Sequence, residues 1–134
     1  MPTTTATLTL NSADLTGDAL ALSTTATLTK AESTVGLDQT TGVARKIYSA
    51  ATTADNIVAA ADYTDDKAHK VYIKNLSTSQ DEFVTIEVGA TNVQLGRLYG
   101  GDWAFMPWDG TNDIDIDTSA ALTIEYAVIY KACL

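Results

Sequence analysis

From Ala68 to Lys131 apolar and polar residues alternate with a period of two, and only short runs of turn formers interrupt the rhythm. In His69–Leu76, Val71 and Ile73 share one face, with His69 at its start, while Lys70, Tyr72 and Lys74 share the other. That is the signature of a half-buried strand. The same rule makes Glu82–Val88 a strand with Val84, Ile86 and Val88 inward. The run NLSTSQD between them, residues 75–81, predicts a hairpin loop of medium length. A turn at 90–92 leads into Val93–Tyr99, and Gly100-Gly101 predicts a tight hairpin turn with positive φ. In the following strand, Asp102–Trp108, Trp103 and Phe105 are expected in the core, and Pro107 marks an edge or a strand end. Asp113–Asp117 turns Ile114 and Ile116 inward, and Ala121–Lys131 alternates Leu122, Ile124, Tyr126, Val128 and Tyr130 against Thr123, Glu125, Ala127 and Ile129.

No segment of this half has a helical period, and no connection is long enough for a parallel crossover. The expected fold class is therefore all-β, a single antiparallel domain of the β-sandwich or jelly-roll type.

The first half is rich in Thr, Ala and Ser, with no aromatic residue before Tyr48. The hexapeptide TTATLT occurs twice, at 4–9 and 24–29. A third copy is due near Ala44–Ser49, but that stretch reads ARKIYS, which excludes a solenoid repeat. The repeats predict two strands, Thr4–Leu10 and Ser23–Lys30, each burying a thin stripe of Ala and Leu behind a threonine face. Small inward side chains cannot fill a deep core. The strands are thus expected either on a peripheral sheet or as an arm along a neighbouring subunit. Residues 1–53 are expected to be an interaction segment, with Leu8, Leu10 and Leu28 as its interface residues, and residues 54–134 the sandwich core.

At 134 residues the chain fits one core. Eight Lys and Arg stand against seventeen Asp and Glu, a net charge of −9, which disfavours contact with nucleic acid or an anionic membrane surface. The single cysteine, Cys133, allows no intrachain disulfide and is expected to be a buried, inert thiol. There is no export-signal pattern or bilayer-length apolar run, so synthesis and folding are expected in the cytosol.

The residues that bear chemistry point away from catalysis. Asp109, Asp113, Asp115 and Asp117 have carboxylates for a hard cation, but their spacing is not that of a chelating loop, and a solvated strand face is expected. His69 is the only histidine and is expected at the surface or in a turn; a triad with a spare base and a multi-histidine metal site are both excluded. No phosphate loop, dinucleotide fingerprint or nucleophile elbow is present, so no cofactor is expected. Trp108 with Asp109 at a loop edge would suit a carbohydrate platform, although core packing is the simpler role for both tryptophans.

The segments DKAHKVYIKNLSTSQDEFVTIEVG, LGRLYGGDWAFMPWDG and LTIEYAVIY resemble small virion structural proteins of tailed bacteriophages, in particular marine and cyanobacterial ones. The likeness covers about half the chain, Asp66 to Tyr130, and its sharpest part is the Gly-Asp-Trp turn before the Phe-Met-Pro-Trp run. It implies a non-enzymatic β-sandwich protein of the virion. The expectation is a capsid decoration protein bound to the outer surface of the major capsid shell, self-associating as a trimer. A tail, neck or fibre component and a carbohydrate-binding module for host glycans are the alternatives.

Overall fold

The computed structural model describes residues 4–13, 17, 19–28 and 36–131. Cys133 and the end of the second expected strand, Thr29 and Lys30, lie outside the described residues.

Among the described residues eleven strands follow in order: β1 (Thr4–Ser12), β2 (Leu20–Leu28), β3 (Gln39–Thr40), β4 (Ala44–Tyr48), β5 (Thr52–Val58), β6 (His69–Asn75), β7 (Phe83–Val88), β8 (Val93–Tyr99), β9 (Trp103–Trp108), β10 (Ile114–Thr118) and β11 (Leu122–Tyr130). A 3-10 turn, Ala60–Asp62, lies between β5 and β6.

The all-β antiparallel sandwich is observed, and its wiring has a simple logic. β7 pairs with β8, β6 with β9, β5 with β10 and β4 with β11, every pair antiparallel. The nesting is that of one long hairpin with its tip at the β7–β8 turn. Rolling that hairpin up sends alternate pairs to opposite layers. One layer has the order β5-β10-β7-β8; the other has β11-β6-β9, with β3 and β4 both on the far side of β11. The extra ladders β10–β7 and β11–β6 close each layer. Eight strands wound this way are a jelly roll.

This wiring corrects two expected hairpins. The loop from Leu76 to Glu82 carries the chain from β6 in one layer to β7 in the other, and Gly100-Gly101 carries it from β8 back to β9. Only β7–β8 is a tight hairpin within the eight-stranded roll, its Val88 opposite Val93. Turn-forming residues announce a reversal of direction but not the layer in which the chain resumes.

The core lies where the two layers face each other. Val71, Ile73, Ile114, Ile116, Val84 and Ile124 are fully enclosed there. Tyr48 on β4 packs into the same interior with Val84, Ile116, Leu122 and Ile124. The core therefore reaches back beyond the expected boundary at Thr53. β4 and β5 escaped the period-two reading because β5 is irregular: its register against β10 shifts twice, and Ala54 takes a positive φ of 51°.

His69 is also corrected, from surface to core. It opens the inward face of β6, completely buried. Its Nε2 lies 2.9 Å from the Thr64 carbonyl oxygen, and the Lys131 backbone N–H donates to Nδ1 at 3.4 Å. Those partners assign the proton to Nε2. Tyr63 and Trp108 pack around the ring.

Candidate functional site

The site begins with a phase choice in β9. Its sequence, Trp-Ala-Phe-Met-Pro-Trp, has bulky residues on both faces, so size alone does not choose which is inside. Pairing with β6 does. Residues directly opposite in an antiparallel pair share a face, and the enclosed His69, Val71 and Ile73 stand opposite Trp108, Met106 and Ala104. Trp108 is buried, its indole N–H donating to the Asn112 carbonyl at 2.8 Å. Trp103 and Phe105, expected in the core, instead point outward, 51% and 38% exposed. The Trp108–Asp109 platform considered from sequence is lost with that burial.

Above this outward aromatic pair stands the β1–β2 hairpin, a two-stranded sheet of its own. The hexapeptide repeat is explained by its register. Ala6 lies opposite Ala26, Thr5 opposite Thr27 and Thr7 opposite Thr25. The two copies of TTATLT are thus hydrogen-bonded to each other about a local two-fold axis. One face of the hairpin carries Ala6, Leu8, Leu10, Leu22 and Ala26. The other is a threonine ladder, with the Thr7 and Thr25 hydroxyls 3.0 Å apart. Of the three expected interface residues, Leu10 is exposed and Leu8 half-buried. Leu28 is buried at the root of the hairpin, where it packs with Leu37, Ala6 and Ile129 and fastens the hairpin to the outer face of the β11 layer.

Between hairpin and sheet lies an open groove of about 510 Å³. Ala6, Leu8 and Ala26 form its upper wall, and Tyr72, Lys74, Trp103 and Phe105 its floor. A second space of about 470 Å³ shares Leu8, Trp103 and Phe105 and runs on to Leu10 and Gly101. On the floor, the Tyr72 hydroxyl donates to Glu125 Oε1 at 3.0 Å, and Arg45 Nε lies 3.4 Å from Glu125 Oε2. Burial, then the hydrogen bond to Glu125 and its charge, push the Tyr72 phenol above its ordinary pKa, so it remains a neutral donor. The groove offers hydrocarbon walls and hydroxyls, an arrangement suited to holding an apolar segment of a partner.

The aspartates face outward, Asp109 and Asp113 exposed and Asp115 and Asp117 half-buried, and they also hold the structure together. Asp113 Oδ1 accepts from the Ala60 N–H at 2.8 Å, Asp115 Oδ1 from the Asn56 side-chain amide at 2.9 Å, and Asp117 Oδ1 from the Ala54 N–H at 2.6 Å. They fasten β10 to the irregular β5 and the turn after it. Asp109 is bonded to the N–H and hydroxyl of Thr111, which hold its carboxyl below the usual range. Among the described residues no group of three or more His, Cys, Asp or Glu could hold a metal ion, and no helix is long and apolar enough to cross a membrane.

Sequence reasoning missed Glu87. It stands opposite Asp115 on the outer face of β7, is 5% exposed, and its Oε1 has no hydrogen-bond partner. Burial first, then the charge of Asp117, raise its carboxyl above the usual value. Nothing in the local sequence says that β7 is central in its sheet, so nothing there signals a crowded outer face.

No family model, curated protein or solved structure matches the chain.

Proposed function

We propose that this chain is a non-enzymatic structural protein of a tailed-phage virion, a decoration protein seated on the outer surface of the major capsid shell through the groove between the hairpin and β9. One observation carries the reading: an apolar groove is flanked by Leu10, Leu22 and Trp103, 41%, 44% and 51% exposed, on a chain whose net charge is −9. Contiguous apolar surface rimmed by polar residues marks an interaction site, and a partly exposed tryptophan is the residue type that most often anchors one. The jelly-roll winding, shared by viral capsid and lectin domains, agrees with this by analogy of fold alone. The leucine and alanine wall favours an apolar protein segment, and the Tyr72 hydroxyl is already engaged with Glu125. The chain would be made in the host cytoplasm and end in the virion, with the major capsid protein or another virion protein as partner.

The test is the copy number of the chain in purified particles, followed by re-addition of variants to particles stripped of it. Hundreds of copies per particle, with Trp103→Ala and Leu10→Asp failing to rebind, support decoration. A dozen copies or fewer assign it to the tail or neck instead. Absence from particles, or a glycan array hit that Trp103→Ala abolishes, overturns the reading.

A further inference from the structure

The outer edge of β2, like that of β1 beside it, lacks every device that protects the open edges of the sandwich, and of the two strands β2 is the more exposed. Free strand edges template pairing with other chains, and proteins blunt them with charge, proline or bulges. β9 ends its sheet with Pro107, and β8 is bulged where its register against Ile86 and Glu87 shifts. β2 has neither, and Leu20–Leu28 contains no charged residue at all. Its register against β1 runs unbroken from Ser12↔Leu20 to Thr4↔Leu28. From Leu20 to Thr27 every residue is exposed, and among the described residues no strand pairs with its other edge.

The partner such an edge accepts is visible inside the molecule. TTATLT in β2 is already paired antiparallel with a second TTATLT, alanine opposite alanine and threonine opposite threonine. A copy of β2 from another molecule offers the same sequence, and antiparallel pairing about a two-fold again sets the leucine face beside a leucine face and the threonine ladder beside a threonine ladder. Charge selects the same place: two bodies of net charge −9 repel, and the uncharged strands are where they meet without opposing like charges. We propose that the free edge of β2 pairs antiparallel with β2 of a second copy of this chain, joining two hairpins into a four-stranded sheet. This goes beyond docking through the groove, because it uses the strand edge and not the Trp103 floor, so either can fail alone.

The test is sedimentation of the full chain from micromolar to millimolar concentration, with amide exchange across Ser23–Thr27. The expected result is a dimer in which those amides of Ser23–Thr27 that point away from β1 lose protection on dilution. Thr25→Lys sets like charges near the two-fold and raises the dissociation constant roughly tenfold or more, with the melting temperature of the sandwich unchanged. Thr25→Val, uncharged and β-branched, keeps the dimer, as does Trp103→Ala. A monomer at millimolar concentration, a trimer, or a dimer indifferent to Thr25→Lys overturns the proposal. So does a β2 edge that becomes protected only when a different virion protein is added.

Discussion

Gly100 passes directly beneath the carbonyl of Ser79: a Cβ built on it stands 2.2 Å from that oxygen and 2.8 Å from the Ser77 oxygen. Its neighbour Gly101 has open space around it but a φ of +90°. The two glycines are therefore required for different reasons, one by close approach of backbone and the other by backbone conformation. Gly100→Ala forces the β6–β7 crossover to move and should cost about 1–3 kcal/mol. Gly101→Ala should cost about 1–2 kcal/mol from strain, and Gly101→Asn less. Urea unfolding of these three variants and of Gly100→Asn checks this. An asparagine that relieves position 100 as well as position 101 would refute the distinction.

Asn75 organises the same corner from within. Fully buried, it donates through Nδ2 to the Glu82 and Leu98 carbonyls at 3.2 and 2.9 Å and accepts from the Ser77 N–H at 3.0 Å. It joins the end of one layer to the start of the other. Asn75→Leu keeps the branching and the number of side-chain heavy atoms but leaves backbone groups unsatisfied, each costing about 1–3 kcal/mol. Equilibrium unfolding should show a loss in that range or above, and a variant as stable as wild type would mean that water replaces the amide.

How much of this was legible in the sequence depends on what each residue reports. β6, β10 and β11 were readable because each alternates between a core and an outer face, as Ile114 and Ile116 against Asp115 and Asp117 show. The phase of β9 was not, since Trp103 and Trp108 lie on opposite faces and only the register against β6 separates them. Which turns are hairpins was equally hidden, because the layer change after Asn75 follows from pairing with distant β9 and β11. The groove combines both blind spots. Its leucines were singled out, but its aromatic floor was expected inside, and the burial of Leu28 depends on Leu37 and Ile129, far along the chain.

Two carboxyls titrate in opposite senses. Burial pushes Asp55 up, but hydrogen bonds from Lys46, 2.6 Å away, and from the Tyr48 hydroxyl, at 2.7 Å, outweigh it and hold the group below its ordinary value. The unfolded chain then binds more protons just below about pH 3.9, so this contribution is lost as pH falls through the folded value. Glu87 is raised, so the folded chain binds more protons above about pH 4.3, and stability declines as pH rises through its folded value. Asp55→Asn should flatten the acid limb, and Glu87→Gln should remove the decline above it and raise stability at neutral pH. Urea midpoints across pH check both, and a Glu87→Gln variant less stable than wild type at neutral pH would contradict the burial argument.

The hairpin and the sandwich meet through few residues, and Leu28 is the most enclosed of those the hairpin contributes, 8% exposed against Leu37 and Ile129. Removing that contact should therefore release the hairpin without unfolding the roll, whose core clusters contain none of β1 or β2. Leu28→Asp places a charge where no compensating partner is provided, a change that expels the side chain and the strand end with it. The emission of Trp103, half-exposed beneath the groove, should shift to the red as its cover leaves, while Trp108, buried and bonded to Asn112, is unaffected. A Trp108→Phe background isolates the first signal. The cooperative melt of the sandwich should move by little, since Leu28 lies outside its core. If instead Leu28→Asp melts the whole domain, the hairpin is part of the core and not an appendage. The groove would then be a fixed cleft of the roll.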